Sequence, residues 1–87
     1  MASLLCVRGP IQGRRFPLDE NESIIGRQPD AKVYLESLAV SRRHARIVRE
    51  GGRCFIEDLG SSNGTYINGT KVTARSLLTE RDTLQIG

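Results

Sequence analysis

Asp58-Leu59-Gly60-Ser61-Ser62-Asn63-Gly64-Thr65-Tyr66-Ile67-Asn68-Gly69 places a run of small or hydrogen-bonding side chains, Gly60 to Thr65, between two apolar segments. Upstream, Cys54-Phe55-Ile56 is β-prone. Downstream, Tyr66-Ile67 leads into Asn68-Gly69, the strongest short hairpin signal a sequence carries. The stretch is therefore read as a binding loop between strands. Gly60 and Gly64 can take φ > 0, so the backbone between them is expected to fold tightly and turn its N–H groups toward one point. Such a concavity suits an anion.

Working outward, Gly51-Gly52 marks a hairpin that makes Ala45 to Glu50 and Arg53 to Asp58 antiparallel neighbours. That pairing carries a geometric consequence. Ser41-Arg42-Arg43-His44 enters one strand and Asp58 to Thr65 leaves the other, so both loops are expected at the same end of a sheet. A third cluster, Gly26-Arg27, closes the strand Ser23 to Arg27, whose Ile24-Ile25 pair suggests burial on both faces. Leu4 to Val7 and Arg14 to Leu18 are the first two strands, with Pro17 assigning the second to a sheet edge. Val33-Tyr34-Leu35, Tyr66-Ile67, Thr70 to Val72 and Thr83 to Ile86 supply further short strands. Leu77, Leu78, Arg81 and Leu84 would also fit an amphipathic helix from about Ala74 to Leu84; the segment is read as strand and turn. Turn signals every six to twelve residues, without an internal repeat or linker, indicate an all-β sandwich or barrel of about ten short strands in a single domain, residues 1–87.

Composition bounds the function. Eighty-seven residues allow one modest core, and no segment approaches the roughly 20 apolar residues of a membrane span. The N-terminus lacks a basic leader and a long apolar run, so a cytoplasmic, intracellular site is the default. Cys6 and Cys54 are the two cysteines and His44 the one histidine, which argues against a disulfide framework, a metal site and a metal cofactor. Both thiols are read as buried hydrophobes. Thirteen Lys+Arg against ten Asp+Glu, a net charge of +3, favours an anionic partner without the density of a nucleic-acid-coating protein.

Gly26-Arg27, then Ser41-Arg42-Arg43-His44, then Ser61-Ser62-Asn63-Gly64-Thr65, then Asn68-Gly69 follow an order that closely resembles the forkhead-associated (FHA) domain over nearly the whole chain. The resemblance implies a β-sandwich of two antiparallel or mixed sheets that binds phosphothreonine peptides in Ser/Thr kinase signalling. It also implies one more strand after Gly87, beside the first; without it, Leu4 to Val7 would be an exposed edge through which the chain could oligomerise. Truncation of a longer protein is the expected explanation. The family's usual Gly-Asp before the final strands is Arg81-Asp82 here, so a strained turn is expected.

A phosphothreonine brings a charge of about −1.5 to −2 and three acceptor oxygens, and needs cations, hydroxyls and backbone donors around one point. Arg27 offers a forked, permanent charge, Ser41 a hydroxyl, Arg42 a second cation, and Ser62 a hydroxyl with nearby N–H groups; by resemblance these positions match the family's phosphate contacts. Asn63, again by resemblance, would hydrogen-bond the peptide backbone, and the family's threonine preference implies a shaped methyl pocket beside it. Gly26, His44, Gly64, Thr65, Asn68 and Gly69 are expected to support the site. His44 is read as a strut holding the Ser41 loop against the Asn63 loop.

Three other readings compete. Catalysis would pair Ser41 with His44, but no third partner or nucleophile elbow is evident. Nucleic-acid binding would use Arg14, Arg15, Arg42, Arg43, Arg46, Arg49 and Arg53, yet the aromatic residues lie scattered in strands. A phosphate-independent interaction or oligomerisation module is the closer rival, against which the intact set Arg27, Ser41, Arg42 and Asn63 stands.

Overall fold

The computed structural model describes residues 3–5 and 12–87. The described residues form ten strands and no helix: β1 Ser3–Leu5, β2 Arg15–Pro17, β3 Glu22–Gly26, β4 Val33–Tyr34, β5 Ala45–Glu50, β6 Arg53–Asp58, β7 Thr65–Ile67, β8 Thr70–Lys71, β9 Ser76–Leu78 and β10 Leu84–Ile86. Five of them make one sheet in the order β4-β3-β5-β6-β9. The opposing layer comes in two hydrogen-bonded pieces, β1-β2 and β10-β7-β8. All pairs are antiparallel except β3 with β4, so the sandwich is mixed. The segment that also fitted a helix is strand and turn.

Period-two alternation drives the packing. Along β5, Ala45 and Ile47 are buried while Arg46 and Val48 face outward, and Ile56 of β6 is completely buried. These residues join Phe16, Leu18, Ile25, Val33 and Val72 in one core, with Leu4, Leu35, Cys54, Ile67, Leu78, Leu84 and Ile86 against it. Every sheet piece contributes to that cluster. Ile24 departs from the expected double burial: it is only half-buried, opposite Arg46. The sheet is covered on one face alone, so alternation wins over the doubled apolar pair. On the open face Arg46 pairs with Glu22 at 3.0 Å and with Glu57. Arg75 reaches Glu50 at 2.8 Å and lies over the Phe55 ring at 4.5 Å.

The turns follow their chemistry. Gly51 and Gly52 both have positive φ, as do Asn68 and Gly69, the pattern of two-residue I′ hairpins whose twist matches the flanking strands. Pro17 sits in β2, which among the described residues bonds only to β1, where a missing donor is tolerated. Arg81 and Asp82 form an ordinary turn rather than the expected strained one, since Asn68 is the one non-glycine residue with positive φ among those described. Asp82 closes it locally: its carboxylate accepts the Thr79 N–H at 2.8 Å and its own N–H donates to the Thr79 carbonyl at 3.1 Å. Val7, Cys6 and the Gly9-Pro10 turn lie outside the described residues. Cys54 is half-buried against the core. Among the described residues no helix is long and apolar enough to cross a membrane.

Truncating Ile56, which is 0% exposed, to Ala should cost about 2–5 kcal/mol. The same change at Leu38, which is 92% exposed, should stay within about 0.5 kcal/mol. Urea denaturation of the two variants measures both.

Candidate functional site

Register brings the three sequence clusters together. Ile25, Ala45 and Asp58 stand opposite one another on β3, β5 and β6, so Arg27, His44 and Leu59 all leave the sheet at one end. The loops are then laced by backbone bonds. Arg27 N–H donates to the Ser41 carbonyl at 3.0 Å, Gln28 N–H to Arg42 at 3.2 Å, His44 N–H to Ile25 at 2.9 Å and Leu59 N–H to His44 at 3.0 Å. Gly26 is required by this close approach, because a Cβ there would lie 2.1 Å from the Arg42 carbonyl oxygen. In the other layer Thr65 stands opposite Ile86, which puts Gly64, entering β7, beside Gly87, leaving β10.

His44, with 0% exposure, joins the two layers. Its Nδ1 accepts the Ser41 N–H at 3.0 Å, and its Nε2 lies 2.7 Å from the Gly64 carbonyl oxygen. A backbone N–H must donate and a carbonyl must accept, so the ring is the neutral Nε2–H tautomer. Both ring nitrogens are thereby occupied by backbone. The imidazole has no lone pair left for the Ser41 hydroxyl, and the nucleophile–base pairing lacks its geometry.

Four of the five N–H groups in the Gly60–Gly64 loop are bonded inside the protein rather than turned toward an open concavity. Gly60 and Ser61 N–H each donate to Asp58 Oδ2 at 3.0 Å, the Ser61 hydroxyl donates to Oδ1 at 2.5 Å, and Thr65 Oγ1 donates to Oδ1 at 2.7 Å. Gly64 N–H is taken by Ser61 Oγ at 3.0 Å, and Ser62 N–H by Ser41 Oγ at 3.1 Å. The anion in this nest is the chain's own carboxylate. Asp58 and Ser61 are functional residues that the site reading missed. An Asp followed by hydroxyl residues in a Gly-rich loop is a signal for such side-chain-closed turns.

The side chains at the tip keep donors of their own. Arg27 Nε is anchored on the Val40 carbonyl at 3.0 Å, one residue before Ser41, while its terminal nitrogens retain unused hydrogens. Because Ser41 Oγ accepts from Ser62 N–H, its own hydrogen remains free to donate. Ser62 and Arg42 are exposed at the same tip. Asn63 is also exposed and gives one amide hydrogen to the Ala39 carbonyl at 2.9 Å, keeping its Oδ1 and second hydrogen. Beside Arg27 runs an open cleft lined also by Tyr34, Glu36, Ser37 and Leu38.

Two expected supports have other work. Asn68 donates to Asp82 at 2.8 Å and accepts Thr83 N–H at 2.9 Å, so Asn68-Gly69 braces the Thr79–Thr83 turn at the far end of β7 from Thr65. The reason is strand direction: β7 carries the chain away from the tip before the hairpin turns.

Burial pushes the Asp58 carboxyl up, but bonds from the Ser61 and Thr65 hydroxyls and from the Ser61 and Gly60 N–H groups outweigh it and leave the group below 3.8. A carboxyl depressed in the folded state stabilises above its unfolded value and loses that contribution as pH falls through the lower folded value. Melting temperature should accordingly fall below about pH 4, and Asp58→Asn, destabilised at neutral pH by about 1–3 kcal/mol through mispaired donors, should show a flatter profile there. Gly26→Ala should cost about 1–3 kcal/mol by overpacking, read by thermal melting.

A model described as the FHA domain matches residues 23–87. The glycogen accumulation regulator GarA of Mycolicibacterium smegmatis is 44% identical over 86 residues, covering 99% of this chain and 54% of that protein; the chain thus spans about half the length of the curated relative. A solved structure from work on phosphothreonine-dependent FHA domain interactions superposes with TM-score 0.80 at 39% identity, covering 86% of this chain and 77% of the other. Mycobacterium tuberculosis EmbR, solved with a low-affinity phosphopeptide, gives TM-score 0.81 at 38% identity over 85% of this chain and 20% of its own. With the family model covering most of its length and the same sandwich in its solved relatives, the chain belongs to the FHA domain family.

Proposed function

We propose that residues 1–87 form a single recognition domain that binds a phosphothreonine peptide of a partner protein and so makes that association depend on a Ser/Thr kinase. Arg27, Ser41, Arg42 and Ser62 hold the phosphate, and Asn63 holds the peptide backbone next to it. One observation carries the reading: the Arg27 guanidinium is anchored one residue from Ser41, whose oxygen is fixed by Ser62 N–H. Three segments therefore bring unspent donors to one tip. The phosphopeptide and phosphothreonine connections of the solved FHA relatives support the same chemistry.

Preorganisation is what makes this set useful. Ser41 is oriented before any ligand arrives, and Arg27 loses little freedom on binding, since its Nε is already held. Three or four charge-assisted bonds of about 1.5–3 kcal/mol each against an association cost of about 4–15 kcal/mol leave at most about 8 kcal/mol, a ceiling of micromolar class. Three of the seven arginines a nucleic-acid role would use are already engaged within the fold: Arg46 is paired with Glu22 and Glu57, Arg49 donates to the Leu18 carbonyl at 2.9 Å, and Arg15 to Ser3 at 2.9 Å. We place the domain in an intracellular signalling context, where such kinases act.

Paired phosphothreonine and unmodified peptides provide the test. The phosphorylated form alone should bind; equal binding of both forms would instead favour a phosphate-independent interaction module. Arg27→Ala should abolish binding with little change in melting, and Arg27→Lys should bind poorly because a point charge cannot replace the fork. Affinity should fall as pH drops below about 6, where the phosphate takes up its second proton, and a flat isothermal titration series from about pH 7.5 to 5 would contradict a dianion requirement.

A further inference from the structure

The Ala39 carbonyl is shared by two segments far apart in sequence. Asn63 Nδ2 donates to it at 2.9 Å. Gly87 packs against it so closely that a Cβ at position 87 would lie 2.6 Å from the oxygen, 3.1 Å from the carbonyl carbon and 3.4 Å from the Ala39 side chain. Gly87 N–H also donates at 3.1 Å to the Gly64 carbonyl, the oxygen that meets His44 Nε2 at 2.7 Å. Residue 87 has φ +81°, in the left-handed region that favours glycine. It thus touches both ends of the bond arrangement that sets Asn63: the acceptor of its amide and the carbonyl of its neighbour.

The geometry points to Gly87 as a positioning residue for peptide recognition, acting through the Ala39 carbonyl on Asn63. The inference rests on the phosphopeptide reading of the site. Gly87 makes no hydrogen bond to Arg27, Ser41, Arg42 or Ser62 among the described residues. Its collision falls on the Ala39 carbonyl that holds Asn63 and reaches Arg27 only through the next carbonyl, Val40, so the grip on peptide backbone suffers first and most. A side chain at position 87 must displace the Ala39 carbonyl, and the Asn63 amide either follows it or loses it. Either way the preset orientation of that side chain is lost.

Gly87→Asn tests this directly, because Asn accepts positive φ better than other non-glycine residues and so isolates the collision from backbone strain. Relative to wild type it should weaken a phosphothreonine peptide about three- to tenfold, the worth of one neutral hydrogen bond, while free O-phosphothreonine, titrated by NMR, loses distinctly less. The Asn63 side-chain amide resonances should shift in the unliganded variant. In an Asn63→Ala background the Gly87→Asn loss should vanish, the signature of one acting through the other. Peptide binding equal to wild type, equal losses for peptide and phosphothreonine, or a loss that persists without Asn63 would each overturn the inference. A measurement on the wild type alone covers a variant that fails to fold: phosphopeptide binding should move the Gly87 amide resonance, and an unmoved resonance also overturns it. A wild type that binds no phosphothreonine peptide would overturn the site reading and this inference together, whereas normal wild-type binding with an indifferent Gly87→Asn overturns the inference alone.

Discussion

The hydrogen bond between His44 and the Gly64 carbonyl, 2.7 Å long and wholly buried, is the interaction on which the tip depends. One ring spans from the loop entering β5 to the loop entering β7, in opposite layers of the sandwich. Its second nitrogen fixes the Ser41 N–H. A long flexible side chain would lose more rotamer freedom in such a place; an imidazole is rigid, carries an acceptor and a donor on opposite edges, and so suits a link between one N–H and one carbonyl. The ring is a construction element of the site and leaves the ligand contacts to others.

Asp58 solves the complementary problem of the loop between β6 and β7. A run of residues too small to bury apolar surface must satisfy its backbone by other means. A carboxylate at its base, accepting from Gly60, Ser61 and Thr65, closes the turn internally. An anion beside the proposed phosphate contacts would be repulsive if its charge were left open, but its donors compensate it within the fold. The donors are then divided: Gly60 and Ser61 N–H serve the protein's own carboxylate, and the side chains of Arg27, Ser41, Arg42 and Ser62 stay available for the phosphate we propose.

The strand framework was legible in the sequence because it rests on local rules. Alternation in Ala45–Glu50, the glycine pair at Gly51-Gly52, Pro17 on an edge and Asn68-Gly69 in a hairpin each carry their own physical signature. From the hairpin alone it followed that the Ser41 and Asn63 loops share an end of the sheet, and β5–β6 pairing has that register. Ile24 was less legible, since whether a strand is covered on one face or two depends on the layer above it. Arg81-Asp82 looked strained only because a family pattern was laid over it; the local closure by Asp82 needed no glycine.

What the sequence by itself determined about this protein is the set of short strands, the order of its clusters and the chemical kinds of side chain brought to them, because propensity, turn chemistry and two-residue periodicity act within a few neighbours. Only the tertiary structure decided where each donor goes: Asp58 as the acceptor of Gly60 and Ser61 N–H, the tautomer of His44, Asn68 bound to Asp82, and Gly87 against Ala39. The physical reason is that a hydrogen bond is directional and saturable. A donor already used inside the fold is unavailable to a ligand, and its partner, often twenty or more residues away along the chain, is chosen by register and layer packing.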